Sequence, residues 1–251
     1  MADDYIIETR ALSKDFAGFA AVSDVDLRVR QGSIHALIGP NGAGKTTVFN
    51  LLTKFLEPTR GQILYEGREI TRRKPADLAR EGMVRSFQIS ATFPHLSVLE
   101  NVRIALQRKL GTSFHFWRSE ASLEVLNGRA GELIEAVGLA GFEGSTAAEL
   151  PYGRKRALEI ATTLALNPKM MLLDEPTAGM GHEDVGRVAQ LIRKVAADRT
   201  VLMVEHNLSV VADLSDTITV MQRGRVLAEG SYEEVSSNPE VREAYMGTGH
   251  A

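Results

Sequence analysis

The stretch GPNGAGKTT, Gly39–Thr47, constrains this chain more than any other part of it. It fits the pattern G-x-x-x-x-G-K-[ST], and its flanks are what that pattern requires. The short apolar run Ser33–Gly39 before it reads as a buried strand. After it, Val48, Leu51, Leu52 and Phe55 recur at helical spacing, with Pro58 just beyond. Glycines between a strand and a helix let backbone N–H groups turn inward around a phosphate. Lys45 adds a positive charge and the helix N-terminus adds its dipole. The expected phosphate cradle is therefore Gly39, Pro40, Asn41, Gly42, Ala43, Gly44, Lys45, Thr46 and Thr47, with the Thr46 hydroxyl offered to Mg²⁺.

Two further apolar runs read as buried strands, and both end in charge. Lys169–Pro176 ends in Asp174 and Glu175, and Arg199–His206 ends in Glu205 and His206. Strands alternating with helices predict an α/β fold whose mostly parallel sheet is covered on both faces. The middle of the chain is different. From about Ser97 to Gly138 the pattern is helical, opened by the capping box Ser97–Glu100 and closed by a glycine C-cap at Gly138. An α-helical insertion into an α/β core is expected, with an irregular aromatic loop at 111–122 and a disordered tail, GTGHA.

In open α/β sheets, ligands bind beyond the carboxyl ends of the strands. The strand ends that carry Gly39, Asp174 and His206 are thus expected to converge. Asp174 would serve the Mg²⁺ shell, and Glu175 would polarise a water for attack on a γ-phosphate. His206 would touch that phosphate as charge develops on it. Gln88, at the junction of core and insertion, is placed to reach the metal or the water as the two parts move.

One segment resists this reading. In Glu149–Ala161 the first turn of an expected helix holds Arg154, Lys155 and Arg156, where a helix dipole favours anions. Pro151 removes an N–H donor from the same turn. Composition narrows the partners. A net charge of −3 over 251 residues argues against a broad grip on nucleic acid, and with no cysteine there is no thiolate chemistry. No run approaches the roughly 20 apolar residues of a membrane span. The acidic start lacks the basic and apolar parts of a secretory signal.

In order, GPNGAGKTT, SFQ, LPYGRKR, MMLLDEPTAG and VEHN resemble the Walker A, Q-loop, signature, Walker B with D-loop, and switch histidine of the ATP-binding-cassette ATPases. The resemblance covers nearly the whole chain. It implies a P-loop NTPase (RecA-like) core with a mainly parallel sheet, an N-terminal antiparallel β portion and an inserted α-helical subdomain. Residues 1–88 and 156–240 would form the catalytic core, 89–155 the helical signature subdomain and 241–251 a C-terminal tail. ATP and Mg²⁺ are the implied cofactors. Glu175, His206, Gln88 and Lys45 match the catalytic positions, and Thr46, Gln88 and Asp174 the metal positions. Phe16 matches the aromatic that stacks on adenine.

In that family two cassettes sandwich two nucleotides head to tail, and the signature helix points at the γ-phosphate held by the other subunit. Tyr152, Gly153 and Arg154 are the matching residues. An anionic ligand there explains the cations of the first turn, and close approach of phosphate to backbone explains Gly153. Three positions depart from the family pattern. Pro151 stands where Ser is usual, Tyr152 where many members have Gly, and Gly181 where Asp is usual. They predict slow to moderate turnover and a dimer that leans on membrane partners.

The Tyr-Gly signature, EPTAGM and the ending NPEVREAYMG resemble the ATPase subunits of branched-chain (hydrophobic) amino acid importers. That resemblance implies a second cassette, the same or a paralogue, and separate transmembrane permease subunits. It also implies an extracytoplasmic substrate-binding protein that the cassette meets only indirectly. The location would be peripheral, on the cytoplasmic face of the inner membrane. Urea or short-amide uptake and lipopolysaccharide export are the related alternatives, and a non-transport ATP switch is a more distant one. A permease helix is expected to dock between core and insertion against Phe93, Pro94 and Leu96, while Phe114, Phe116 and Trp117 pack locally.

Overall fold

The computed structural model describes residues 4–86, 92–107 and 124–246. An antiparallel sheet opens the chain. In it β1 (Tyr5–Phe16) pairs with β2 (Phe19–Val25) and with β3 (Arg28–Arg30). The strand β4 (Ile34–Ile38) then enters the central sheet, followed by α1 (Lys45–Leu52). The strands β5 (Arg60–Tyr65) and β6 (Arg68–Glu69) return to the first sheet, whose order is β2-β1-β5-β6. Next come α2 (Pro75–Glu81), β7 (Met83–Ser86), α3 (Val98–Gln107), α4 (Asn127–Ala136) and α5 (Tyr152–Ala165). The second half alternates β8 (Met170–Asp174), α6 (His182–Ala196), β9 (Thr200–Val204) and α7 (Leu208–Leu214). It closes with the hairpin β10 (Thr217–Gln222) and β11 (Arg225–Gly230), then α8 (Tyr232–Ser237) and α9 (Pro239–Met246).

The central sheet runs β11-β10-β4-β9-β8-β7 and is parallel except at the β10–β11 edge. Its middle strands are unbroken apolar runs because both of their faces are buried. Met171, Leu173, Val201 and Met203 join a core built with the helices of the insertion. Met170, Leu172, Leu202 and Val204 face the other way, into a core shared with α1 and the antiparallel sheet. The fold is the α/β one expected, with its antiparallel portion at the start.

The caps read from sequence form. Ser97 N donates to the Glu100 carboxylate at 2.7 Å, and Glu100 N donates back to the Ser97 hydroxyl at 3.2 Å. Past α4, Gly138 takes a left-handed φ of 74° and Leu139 N donates to the Ile134 carbonyl at 2.9 Å, a Schellman closure.

One helix is shorter than its periodicity predicts. α1 stops at Leu52, and Phe55 is left exposed beyond it. The Thr53 hydroxyl donates back to the Phe49 carbonyl, and Lys54 turns left-handed to send its ammonium to the Thr71 carbonyl. A tertiary contact thus overrides the apolar spacing. Farther on, α5 runs unbroken through residues 155 and 156, where the sequence reading divides insertion from core. Val102, Ile134 and Leu158 share one buried cluster with Leu173 and Ile192.

Candidate functional site

The phosphate loop is held by the strand beside it. At Gly39, φ is 147°, and a Cβ there would lie 2.2 Å from the Met221 carbonyl oxygen of β10, so a side chain cannot fit. Gly224 N donates to the Ala43 carbonyl at 3.0 Å and pins the far side of the loop. Lys45 folds over it, its buried ammonium donating to the carbonyls of Gly39 at 2.7 Å and Pro40 at 3.0 Å. Burial pushes that ammonium below the usual lysine range, and the nearby Glu175 carboxylate pulls the other way. Thr46 is exposed in the first turn of α1.

Beyond β8 the backbone turns sharply, with Glu175 in the left-handed region at φ 46°. Its Oε1 lies 3.0 Å from His206 Nε2, just past β9. Lys45, Glu175 and His206 therefore meet at the carboxyl edge of the sheet, and Asp174 is next to them on β8. Asp174 itself is paired. Its Oδ2 accepts from Arg85 Nη2 at 2.6 Å, while Arg85 Nη1 donates to Asn50 at 2.6 Å. The guanidinium sits 5.0 Å from the Phe49 ring centroid and 5.4 Å from that of Phe55.

Glu205 secures the neighbouring turns. One carboxylate oxygen accepts from Thr177 N at 2.9 Å and from the Thr177 hydroxyl at 2.6 Å. The other accepts from His206 N at 2.9 Å and Asn207 N at 3.1 Å. Neither Arg85 nor Glu205 follows from the sequence motifs as a site residue. The available signal was a charge at a strand position, since a buried charge must find a partner.

Phe16 stands at the end of β1, paired with Phe19 across the hairpin, 43% exposed and with the Lys14 ammonium 5.2 Å from its ring centroid. Gln88 lies outside the described residues, as do Phe114, Phe116, Trp117 and the GTGHA tail.

The opening of α5 differs from the sequence expectation in two ways. Of its three cations, Arg156 does not face outward toward an anion. It is 7% exposed and turned into the protein, against the backbone after β8. A buried guanidinium needs acceptors, and the carbonyls of the β8 turn and the Glu159 carboxylate supply them. Arg154 lies over the Phe142 ring at 4.0 Å, and Tyr152 is exposed. Gly153 has a second reason to be glycine: a Cβ there would come within 2.7 Å of the Asp184 carboxyl carbon of α6. Pro151 sits at the N-cap, and no side chain caps the helix.

A groove of about 470 Å³ runs between core and insertion, and Phe55, Leu78, Met83, Arg85, Ile104 and Glu159 are among its walls. Phe93, Pro94 and Leu96 are not among its walls; Asn101 holds the Phe93 backbone at 2.7 and 3.1 Å, and the Phe93 ring is exposed. Its walls come from α2, α3, α5, β7 and the residues just after α1.

Residues 22–178 match the family model described as ABC transporter. The chain belongs to the ABC transporter family of ATP-binding cassettes. A second model, described as Branched-chain amino acid ATP-binding cassette transporter, matches residues 225–251 of this cassette. The cassette is 38% identical to the high-affinity branched-chain amino acid transport ATP-binding protein BraF of Pseudomonas aeruginosa, over 96% of this chain and 98% of that one. It is 36% identical to LivG of Escherichia coli K12, described in the same terms, with the same coverage. Among solved structures, it is similar to the ADP conformation of an ATP-binding cassette from an ABC transporter. The TM-score is 0.85 at 32% identity, covering 97% of this chain and 99% of that one. Among the described residues of the cassette, no helix is long and apolar enough to cross a membrane.

Proposed function

We propose that this cassette binds and hydrolyses ATP to power an importer of branched-chain or other hydrophobic amino acids. The observation that carries the reading is the meeting of Lys45, Glu175 and His206 at the carboxyl edge of the sheet, beside Asp174. The names of the relatives support the cargo. Residues 39–47 cradle the phosphates, Lys45 neutralises their terminal charge, and Phe16 stacks on the base. Glu175 orients and deprotonates the attacking water, and His206 holds Glu175 in place and meets the γ-phosphate. Gln88 joins them from the junction with the insertion.

The residues present fit Mg²⁺. The Thr46 hydroxyl and the Asp174 carboxylate are hard oxygen donors, and no cluster of three His, Cys, Asp or Glu able to hold a metal unaided occurs among the described residues. Such a sparse donor set suits an ion that completes its shell with nucleotide phosphates and water. When bound, the ion would neutralise charge on those phosphates.

The working form is a dimer with a second cassette, identical or paralogous, in which Tyr152, Gly153 and Arg154 meet the partner's nucleotide. A permease helix fills the groove, which holds the cassette at the cytoplasmic face of the membrane. Residues 89–155 act as the lobe that moves with that helix. Light scattering of Glu175→Gln with and without ATP·Mg²⁺ tests this reading. A dimer with ATP and none with ADP is expected. A monomer that binds ATP normally would remove the self-sufficient sandwich, and loss of ATP binding would remove the role given to Glu175.

A further inference from the structure

The Glu175 turn is gripped from the helix that faces the other nucleotide. Arg156, one turn into α5, points its planar fork at the backbone after β8. Nη2 donates to the carbonyls of Asp174 at 3.2 Å and Glu175 at 2.9 Å, and Nε donates to that of Pro176 at 3.2 Å. Nη1 is taken by the buried Glu159 carboxylate at 2.5 Å, one turn along the same helix. Three consecutive carbonyls of a loop thus share one guanidinium, and the residue at their centre has a left-handed φ of 46°. A non-glycine residue holds that conformation only when its surroundings over-determine it.

We infer that Arg156 is a positioning residue for Glu175, fixing the direction of its carboxylate from α5 through the carbonyls of residues 174–176. The inference rests on the reading of Glu175 as the base. Lysine and glutamine cannot present the same fork, because only guanidinium offers donors in one rigid plane. The grip also has a consequence for a dimer. α5 opens with the residues proposed to meet the partner's nucleotide, so a shift of that helix on one nucleotide moves the base that serves the other. Glu159, which holds Arg156, lines the groove, so an occupant of the groove bears on the same turn.

The opposite side of the turn is secured independently, by Glu205 on Thr177. Loss of Arg156 should therefore leave the fold standing while loosening the base. Arg156→Met alone would strand Glu159 as a buried, unpaired charge. The test variant is accordingly Arg156→Met with Glu159→Leu, with Arg156→Lys beside it. Thermal melting first verifies that each is folded. MgATP binding is then measured by equilibrium dialysis, and kcat by phosphate release.

The expected result for the double variant is a fall in kcat of about 10²-fold, the scale of a catalytic group displaced by about an ångström, with little change in the dissociation constant for MgATP. Arg156→Lys should recover part of that rate. Built into Glu175→Gln, the double substitution should cost nothing further in single-turnover hydrolysis, because the group it positions is already gone. A folded double variant with wild-type kcat would overturn the inference. So would a loss that multiplies with that of Glu175→Gln. Wild-type hydrolysis that survives Glu175→Gln would instead overturn the base, and its positioning with it.

Discussion

The carboxyl edge of the central sheet and the opening turn of α5 are both read as facing a γ-phosphate, yet they are built in opposite ways. At the sheet edge every charged group has a partner within the chain: Lys45 on two carbonyls, Glu175 on His206, Asp174 on Arg85, Glu205 on four donors. At α5 the helix has no capping side chain, Tyr152 is exposed, and Gly153 is pressed against Asp184. The first region is organised before any ligand arrives. The second offers helix N–H groups that no side chain caps, as the proposed half-site for a partner's nucleotide requires. The contrast also explains the two fates of the signature cations. Arg156 belongs to the organised side, and Arg154 stays half-buried on Phe142.

The largest expected effect is that of mild acid on the sheet that carries both regions. His35 lies near the amino end of β4, its Nε2 2.8 Å from the Thr219 hydroxyl, which donates to Glu229. Burial pushes its pKa down from 6.5 to about 4. The unfolded chain therefore takes up a proton below about pH 6.5, while the folded one resists to about pH 4. Stability from this group is complete above the first value and falls by about 3 kcal/mol as pH drops to the second. Denaturant titrations over that range should show the loss, and His35→Gln should flatten it.

Lys45→Ala should weaken MgATP by roughly 10- to 100-fold, the scale of a charge-assisted phosphate contact, in a binding measurement on the isolated chain. Gly153→Ala, on the other side, should leave that binding unchanged. It should cost about 1–3 kcal/mol of stability, because the new methyl must displace the Asp184 carboxylate, and it should abolish ATP-dependent dimerisation in light scattering. If Gly153→Ala weakened ATP binding by the single chain, the division into a complete site and a half-site would fail. The smallest expected effect is that of Phe16→Ala, about 1 kcal/mol on ATP and nothing on inorganic triphosphate, since only the base meets the ring.

Much of this was legible in the chain. The phosphate loop, the strands that end in Asp174 and His206, the capping box at Ser97 and the C-cap at Gly138 are all short-range patterns. Their residues meet neighbours a few positions away, so spacing alone carries the information. The misreadings share the opposite property. Phe55 left its helix because Lys54 found the Thr71 carbonyl, and Arg156 turned inward because carbonyls far along the chain accept its donors. Arg85 was invisible as a site residue because its partner, Asp174, is far along the chain.

The sequence by itself determined that the chain would bury a mostly parallel sheet, place a glycine loop between β4 and α1 at residues 39–44, and bring two carboxylates and a histidine to strand ends. Apolar periodicity and the conformational freedom of glycine are local properties, and they survive in any arrangement of the elements. Only the tertiary structure decided which way the charges point. Arg156 could have faced solvent or an anion from the same helix position. It turned inward because the end of β8 and the turn after it pass behind α5, where three carbonyls and the Glu159 carboxylate accept its donors, and a buried guanidinium must be paired.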